Sequence, residues 1–385
     1  MIMHKIIRVT TIPKSLGGLL KGQLKFMSQH YTIIGVSGEG EGRLDRVAEE
    51  ENVEVIAVEM TRKITPIQDL KAVLELYKVF KKEKPDIVHS HTPKAGTLSM
   101  FAARLAGVPN RLHTIAGLPL LEAKGSKRIL LDVVEKLTYW CATMIYPNSF
   151  GLKDIILENK YTSSKKLKVI ANGSSNGIDT SHFDPDLYSN EDKLALRKEL
   201  KINTEDKVII YVGRLVKDKG INELVSAFKR ICETRNDVKL LLVGIFENDL
   251  DPLLPETEKE IKTNSNIIFA GWQTDVRPYF AISDILGFPS YREGFPNVVM
   301  QAGAMGIASV VTDINGCNEI VSNKDNGIIV PVKNEEILFE SLYKLVENDN
   351  MRNDIASRSR ASITDRYKNQ YVWEELLKEY DSLIK

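Results

Sequence analysis

Three short clusters combine residue types that can hold a charged, hydroxylated ligand. Gly213-Arg214-Leu215 and Lys219-Gly220 lie close together, and Glu293-Gly294-Phe295-Pro296-Asn297 follows further along the chain. The first two sit between an apolar run at 208–212 and a helix-like run at 221–231. An Arg and a Lys are thus expected in a strand-to-helix loop, beside a helix N-terminus. Free backbone N–H groups, the helix dipole and two cations all favour phosphate at such a place. The third cluster follows a buried-looking strand at 284–288 and opens a helix at 298–305. Its Glu293 can accept hydrogen bonds from hydroxyl groups and stabilise developing positive charge, and Gly294 lets a backbone approach closely. Phe295, Asn297 and Val298 would turn backbone N–H groups toward a ligand at the helix start, while Pro296 can only shape the turn. Two such loops in one half of the chain predict one site, with a diphosphate at one loop and a hydroxylated group at the other.

The elements that would position these loops alternate. Strands are expected at 6–10, 32–36, 53–58, 86–89, 111–115, 143–147 and 167–170, then at 207–212, 239–243, 266–270, 284–288, 309–312 and 327–330. Helices are expected at 15–29, 67–84, 94–106, 126–141 and 150–158, with three more closing the chain at 335–347, 351–366 and 369–383. Several strands are apolar at nearly every position, as in a parallel sheet covered on both faces. The alternation predicts an α/β fold of two doubly wound Rossmann-like domains facing across a cleft. The stretch Asn172-Gly173-Ser174-Ser175-Asn176-Gly177-Ile178-Asp179 reads as a break between them. The expected division is an N-terminal domain at 1–175, a hinge or linker at 176–205, a second domain at 206–368, and a last helix at 369–385 that could return to the first domain.

Bulk properties exclude other classes. The 385 residues are 43% hydrophobic and 27% charged, with a net charge of zero, which argues against a general nucleic-acid binder. Cys141, Cys232 and Cys317 show no metal-like spacing and read as reduced thiols of a cytoplasmic protein. No apolar run is long enough to span a bilayer. Residues 1–38 nevertheless hold five Lys/Arg and no carboxylate, and Lys124, Lys127 and Arg128 form a second basic cluster. With the apolar and basic segment 19–27, this suits peripheral contact with an anionic membrane, or equally a core-facing helix with solvated lysines.

Taken in order, 11–18, His89-Ser90-His91-Thr92-Pro93-Lys94-Ala95-Gly96, Asn176-Gly177-Ile178-Asp179, Val212-Gly213-Arg214-Leu215, Gly271-Trp272 with Asp275-Val276, and Pro289-Ser290 with 293–297 resemble the retaining GT-B glycosyltransferases of family 4. The resemblance covers essentially the whole chain and is closest in style to bacterial enzymes of capsule, O-antigen or exopolysaccharide synthesis. It implies transfer of a hexose or N-acetylhexosamine from a nucleotide sugar, expected to be a UDP-sugar, to a polyprenyl-diphosphate-linked saccharide at the inner face of the cytoplasmic membrane. No metal or other cofactor is implied; the nucleotide sugar is a substrate. The catalytic set it implies is Arg214 and Lys219 on the donor diphosphate and Glu293 on the donor sugar. Gly213, Gly294, Phe295, Pro296, Asn297, Val298, Gln301 and Trp272 complete the implied donor site. Gln301 stands where relatives often carry a second Glu; it can still hold a ribose diol but carries no charge. Ala116 stands where relatives often carry a His, in the segment His113-Thr114-Ile115-Ala116-Gly117-Leu118-Pro119.

On the first domain the candidates are Gly17, Gly18, His91, Lys94 and His113. The two glycines could admit a ligand's phosphate or serve only a turn. His89 and His91 form a His-x-His without a third ligand, so an acceptor-side or loop-structuring role outweighs a metal site. Lys94, just after Pro93, could meet an acceptor phosphate or be an ordinary first-turn Lys. His113 could line the site or be a strand His bonded to backbone. Two other functions fit parts of the pattern: a UDP-sugar 2-epimerase, and a degenerate transferase serving as a binding subunit.

Overall fold

The computed structural model describes residues 3–61, 63–118, 120, 123–247 and 251–384. The chain divides into two compact units, 1–177 together with 369–385, and 178–368. Each is built on a six-stranded sheet in which every pairing is parallel.

The strands of the first unit are β1 (Lys5–Val9), β2 (Thr32–Ser37), β3 (Glu54–Ala57), β4 (Ile87–Ser90), β5 (Asn110–Ile115) and β6 (Met144–Pro147), in the order β3-β2-β1-β4-β5-β6. Those of the second are β7 (Lys207–Val212), β8 (Val238–Val243), β9 (Ile267–Gly271), β10 (Ile285–Phe288), β11 (Ala308–Thr312) and β12 (Ile328–Val330), in the order β12-β11-β10-β7-β8-β9. Counted from the first strand of each unit, the order is the same. Both sheets reverse direction of growth beside their first strand, and that is where ligands bind in such folds, outside the carboxyl ends of the strands.

Burial on both sheet faces explains the apolar strands. In the second unit Val208, Ile209, Ile210 and Tyr211 are fully buried, flanked by fully buried Leu240, Leu241 and Leu242 of β8. The first unit has a separate core on each face. One joins Ile7, Val9 and Val88 to the helices Pro66–Glu83, Pro93–Ala106 and Gly125–Cys141. The other joins Ile6, Ile33 and Ile87 to Leu16, Leu20 and Leu24 and to Leu376 and Tyr380 of the last helix, Asn369–Leu383.

Four expectations need correction. The single helix expected at 15–29 is two, Pro13–Leu19 and Gln23–Met27, broken at Gly22. Gly22 has φ 75°, and a Cβ there would lie 2.7 Å from the Trp373 ring. The strand expected at 167–170 does not form; Leu167 makes a single bridge to Ile145. The linker expected at 176–205 is mostly part of the second unit. It carries the helix Asn190–Glu199, started by a Ser189/Asp192 capping box, and Ile202 is buried in that unit's core. The Ile178 amide donates to the Tyr367 carbonyl at 2.8 Å, so the change of unit falls at Gly177. Finally, Gly17 and Gly18 lie within the helix Pro13–Leu19, not in a loop.

Candidate functional site

The loops at the carboxyl ends of β7, β8 and β10 are stitched together at glycines. The Gly213 amide donates to Val243 at 2.9 Å, and Leu215 donates to Ile245 at 2.7 Å. Gly244 has φ 151°, and a Cβ there would sit 1.8 Å from the Gly213 carbonyl oxygen. Gly220 has φ 70°, and its Cβ would sit 2.1 Å from the Pro289 carbonyl oxygen. A side chain at either position would push two loops apart. Both are therefore glycine because backbone meets backbone there. A third seam joins Gly316, φ 78°, to the Gly294 carbonyl, where a Cβ would lie at 2.5 Å.

This stitching brings together charges that are distant in sequence. Lys219 Nζ donates to Glu293 Oε1 at 2.7 Å, and Ser290 Oγ donates to the same oxygen at 3.2 Å. Both members of the Lys219–Glu293 pair are largely withdrawn from solvent. Arg214, on the first loop, donates through Nη1 to Glu247 Oε2 at 2.7 Å. That hydrogen bond, with the charge of Glu247, holds its guanidinium above the usual range. Arg292 reaches Asp218. The second loop is fixed from beneath. Thr312 donates to the Ser290 carbonyl, the Tyr291 amide donates to Asp218 O at 2.9 Å, and Asn315 Nδ2 donates to Gly294 O at 2.7 Å. Under the first loop, the buried Tyr211 hydroxyl donates to Arg214 O at 3.0 Å, and burial keeps that phenol well above its ordinary range.

The other residues expected here take distinct places. Phe295 and Pro296 are buried at the start of the helix Asn297–Ala304, with the Phe295 ring 5.4 Å from that of Tyr367. Asn297 is exposed at that helix's first position; Val298 and Gln301 are half-buried along it. Trp272 is exposed just beyond Gly271, whose carbonyl accepts from the Gly244 amide at 2.9 Å. Glu247, Asp218, Thr312 and Asn315 were not foreseen, and Ser290 was read only as part of a motif. Only Glu247 and Asp218 had a usable signal, being carboxylates close in sequence to a predicted strand-end loop.

In the first unit His91 and His113 are buried, Lys94 is ion-paired, and Gly17 and Gly18 lie in a helix. His91 is buried, and its Nε2 takes Arg8 Nε at 3.1 Å and Nη2 at 2.9 Å. Because Arg only donates, His91 carries its proton on Nδ1. His89 is equally buried, between Tyr380 Oη at 2.6 Å and Thr114 Oγ1 at 2.8 Å. Burial, with the nearby Arg8 charge, depresses both imidazoles well below their usual range, so both are neutral at pH 7. His113 bonds Ser90 Oγ at 2.8 Å and lies over Gly96, where a Cβ would be 2.2 Å from its ring; burial pushes its pKa down to about 4. It is a buried strand histidine bonded to Ser90. Lys94 is spent on the Asp69 carboxylate and on Lys63 O at 2.8 Å, so its charge is already matched. Gly17 packs where a Cβ would meet Val47 at 2.9 Å; Gly18 faces open space. The Ala116 register holds no histidine, and Pro119 lies outside the described residues.

Comparison with known proteins joins these observations. Two family models match, "Glycosyl transferases group 1" over residues 192–362 and "Glycosyl transferase 4-like" over residues 20–149. The capsular polysaccharide biosynthesis glycosyltransferase CapM of Staphylococcus aureus is 33% identical over 384 residues, covering 99% of this chain and 98% of that protein. The UDP-Gal:alpha-D-GlcNAc-diphosphoundecaprenol alpha-1,3-galactosyltransferase of Escherichia coli is 29% identical over 310 residues, covering 80% and 78% of the two chains. The crystal structure of Anabaena HepE in complex with UDP superposes with a TM-score of 0.81 at 18% identity, over 98% of this chain and 100% of that one, and so shares the fold. Two parallel doubly wound units of this order define the GT-B architecture. Within it, the chain belongs to the glycosyltransferases of family 4.

Proposed function

We propose that this glycosyltransferase moves a hexose or N-acetylhexosamine from a UDP-sugar to a polyprenyl-diphosphate-linked saccharide, with retention of anomeric configuration, in bacterial surface polysaccharide synthesis. The observation that carries the reading is the Lys219–Glu293 pair at 2.7 Å, which joins the cationic loop after β7 to the carboxylate loop after β10. A donor's diphosphate would compete with Glu293 for Lys219 and with Glu247 for Arg214. The freed Glu293 would then accept from the sugar's hydroxyls. Arg214 can grip phosphate oxygens bidentately and Lys219 adds a point charge. These two cations carry the leaving-group charge in this reading, and it requires no metal. The donor and acceptor classes are supported by relatives, two of which are named for action on diphosphoundecaprenol-linked sugars, one of them with UDP-Gal as donor. Retention would follow same-face attack, with the departing phosphate oxygen taking the acceptor proton. An acceptor of this kind places the work at the cytoplasmic face of a membrane. The family match weighs against the UDP-sugar 2-epimerase reading, and the intact Arg214, Lys219 and Glu293 weigh against a degenerate binding subunit.

The test pairs a thermal-shift panel of UDP, GDP and ADP with transfer assays on synthetic polyprenyl-diphosphate saccharides, in buffer and in EDTA. A UDP-selective shift that Arg214→Ala removes, with EDTA-insensitive turnover, is expected. A GDP- or ADP-selective shift would reassign the base, and inverted product stereochemistry would overturn retention. Conversion of the UDP-sugar without acceptor would restore the epimerase.

A further inference from the structure

The loop after β11 holds the loop after β10 by its carbonyl oxygens. Thr312 Oγ1 donates to Ser290 O, and Asn315 Nδ2 donates to Glu293 O at 3.2 Å and to Gly294 O at 2.7 Å. Gly316 presses on the same place, since a Cβ there would lie 2.5 Å from Gly294 O and 2.9 Å from Phe295 Cα. Asn315 is half-buried between buried Ile314 and buried Gly316, so its side-chain amide reaches two successive peptide groups from a fixed position. The position calls for a donor. An aspartate of the same shape would turn an oxygen toward two carbonyls.

Capturing a carbonyl also aims an amide. In a trans peptide the C=O and the next residue's N–H point opposite ways. With Glu293 O and Gly294 O turned to Asn315, the N–H groups of Gly294 and Phe295 are turned away from it. Neither donates to any group among the described residues. Two successive N–H groups set this way make a concavity suited to an anionic oxygen. Residue 293 is thereby anchored twice: its carboxylate meets Lys219 of the first loop, and its carbonyl meets Asn315 of the loop after β11.

We infer that Asn315 is a positioning residue for transfer, which fixes two carbonyls so that the Gly294 and Phe295 amides face the donor at its sugar–phosphate end. The inference rests on the donor-site reading and adds to it a residue that itself touches no substrate. Preset N–H donors gain most where charge grows in the transition state, here on the departing phosphate oxygen. Asn315 should therefore act on kcat more than on donor binding.

Asn315→Ala and Asn315→Asp are assayed with a UDP-sugar and a lipid-linked acceptor, well below their melting midpoints. Asn315→Ala should lower kcat about tenfold, the scale of the lost hydrogen bonds, with the donor KM changed less than about threefold. At pH 8 Asn315→Asp should be slower still, because its carboxylate repels the carbonyls that the wild-type amide binds. Its kcat relative to wild type should recover as pH falls toward 5 and the carboxylic acid regains a donor. A role in packing alone would leave the isosteric Asn315→Asp the faster of the two, with no such recovery. Wild-type kcat in Asn315→Ala would overturn the inference. So would a loss confined to KM, or an Asn315→Asp profile parallel to wild type. Thermal shift keeps this apart from the donor site. A wild type that UDP does not stabilise fails the donor-site reading and the inference with it, whereas a normal UDP shift with unaffected variants fails the positioning role alone.

Discussion

The two units share one strand order and differ in where they keep polar groups. The second has an apolar core through β7 and β8, and the pairs Arg214–Glu247, Lys219–Glu293 and Arg292–Asp218 lie in the loops outside β7, β8 and β10. The first holds Arg8, Gln23, His89, His91 and His113 inside, all no more than 4% exposed, and its strand-end loops are closed by that network. A shared topology therefore makes two potential binding rims, and in the second the loops bring Lys219 to Glu293 and Arg214 to Glu247. In the first, the same strand ends are occupied by groups that fasten the last helix: Tyr380 on His89, and Tyr146 donating to Glu379 Oε1 at 3.0 Å. The lesson is that strand order tells where a site can lie, while the fate of each polar side chain decides whether it does.

The sharpest way to break this contrast is to remove the charges of the second rim. Arg214→Ala, Lys219→Ala and Glu293→Gln should each lower kcat/KM by about 10²- to 10³-fold, the scale of one lost transition-state donor or charge. Steady-state assays with a lipid-linked acceptor measure this, alongside Lys94→Ala in the first unit. Lys94 is matched by Asp69, so its loss should cost far less. If Lys94→Ala proved the more damaging change, the functional rim would have been placed on the wrong unit.

Next in size is a backbone effect. Gly244→Ala forces a Cβ into the Gly213 carbonyl at a φ of 151°, so the β7 and β8 loops must separate. A loss of about 2–4 kcal/mol from the second unit is expected, on the scale of overpacking plus a strained residue. Urea unfolding would show a lower midpoint at unchanged slope. An unchanged midpoint would mean that the loops are not joined at this seam.

Much of this was legible from sequence and some was not, for identifiable reasons. Strands such as β7 and β8 could be read because burial on two faces makes them apolar at nearly every position, whereas residues 167–170 carry an exposed Lys168 and make only a single bridge to β6. The helix Arg43–Glu51 was missed because it buries little beyond Leu44 and Val47, and Asn190–Glu199 because its surroundings read as a break. Arg214, Lys219 and Glu293 stood out through their glycines. Their partners Glu247 and Asn315 did not, since nothing in a sequence states which loops will meet. For His91 and His113 the sequence left a ligand role and a structural one open, because a polar residue near a strand end looks like a ligand until its buried neighbours are known.

Acid should separate the two units. His113 is held at about 4 and His89 and His91 well below their usual range, all by burial, against an unfolded value of about 6.5. These groups bind protons more readily when unfolded. The stability they contribute is therefore fully present above about pH 6.5 and is lost as pH falls toward the folded values. Glu135, pushed up to about 7 by burial, works in the opposite sense, because its unfolded form ionises at lower pH and the folded unit gains as pH falls below 7. Three histidines outweigh one carboxylate, for a net loss on the order of 2–4 kcal/mol by pH 5. The second unit has one histidine, His182, half-buried and 3.0 Å from Arg277 Nη1. Hydrogen exchange at pH 5 and pH 7, corrected for intrinsic rates, should show protection falling in β4 and β5 and persisting in β7 and β8. A uniform fall would mean that the buried histidines do not set the acid sensitivity.

The smallest expected effect bears on the glycines that look most alike in the two units. Gly213 and Gly220 open the second unit's rim in left-handed backbone, and Gly17 and Gly18 follow β1 at the corresponding place in the first. Yet Gly18 is inside a helix, at a φ any residue adopts, with nothing within 4 Å of a Cβ built on it. Gly18→Ala should therefore stabilise the first unit by about 0.5–1 kcal/mol, because alanine gives up less backbone freedom on folding. Transfer rates should stay at the wild-type value. A Gly18→Ala protein that melts higher but transfers more slowly would show that a ligand comes against this helix, and the first unit would then have a working rim of its own.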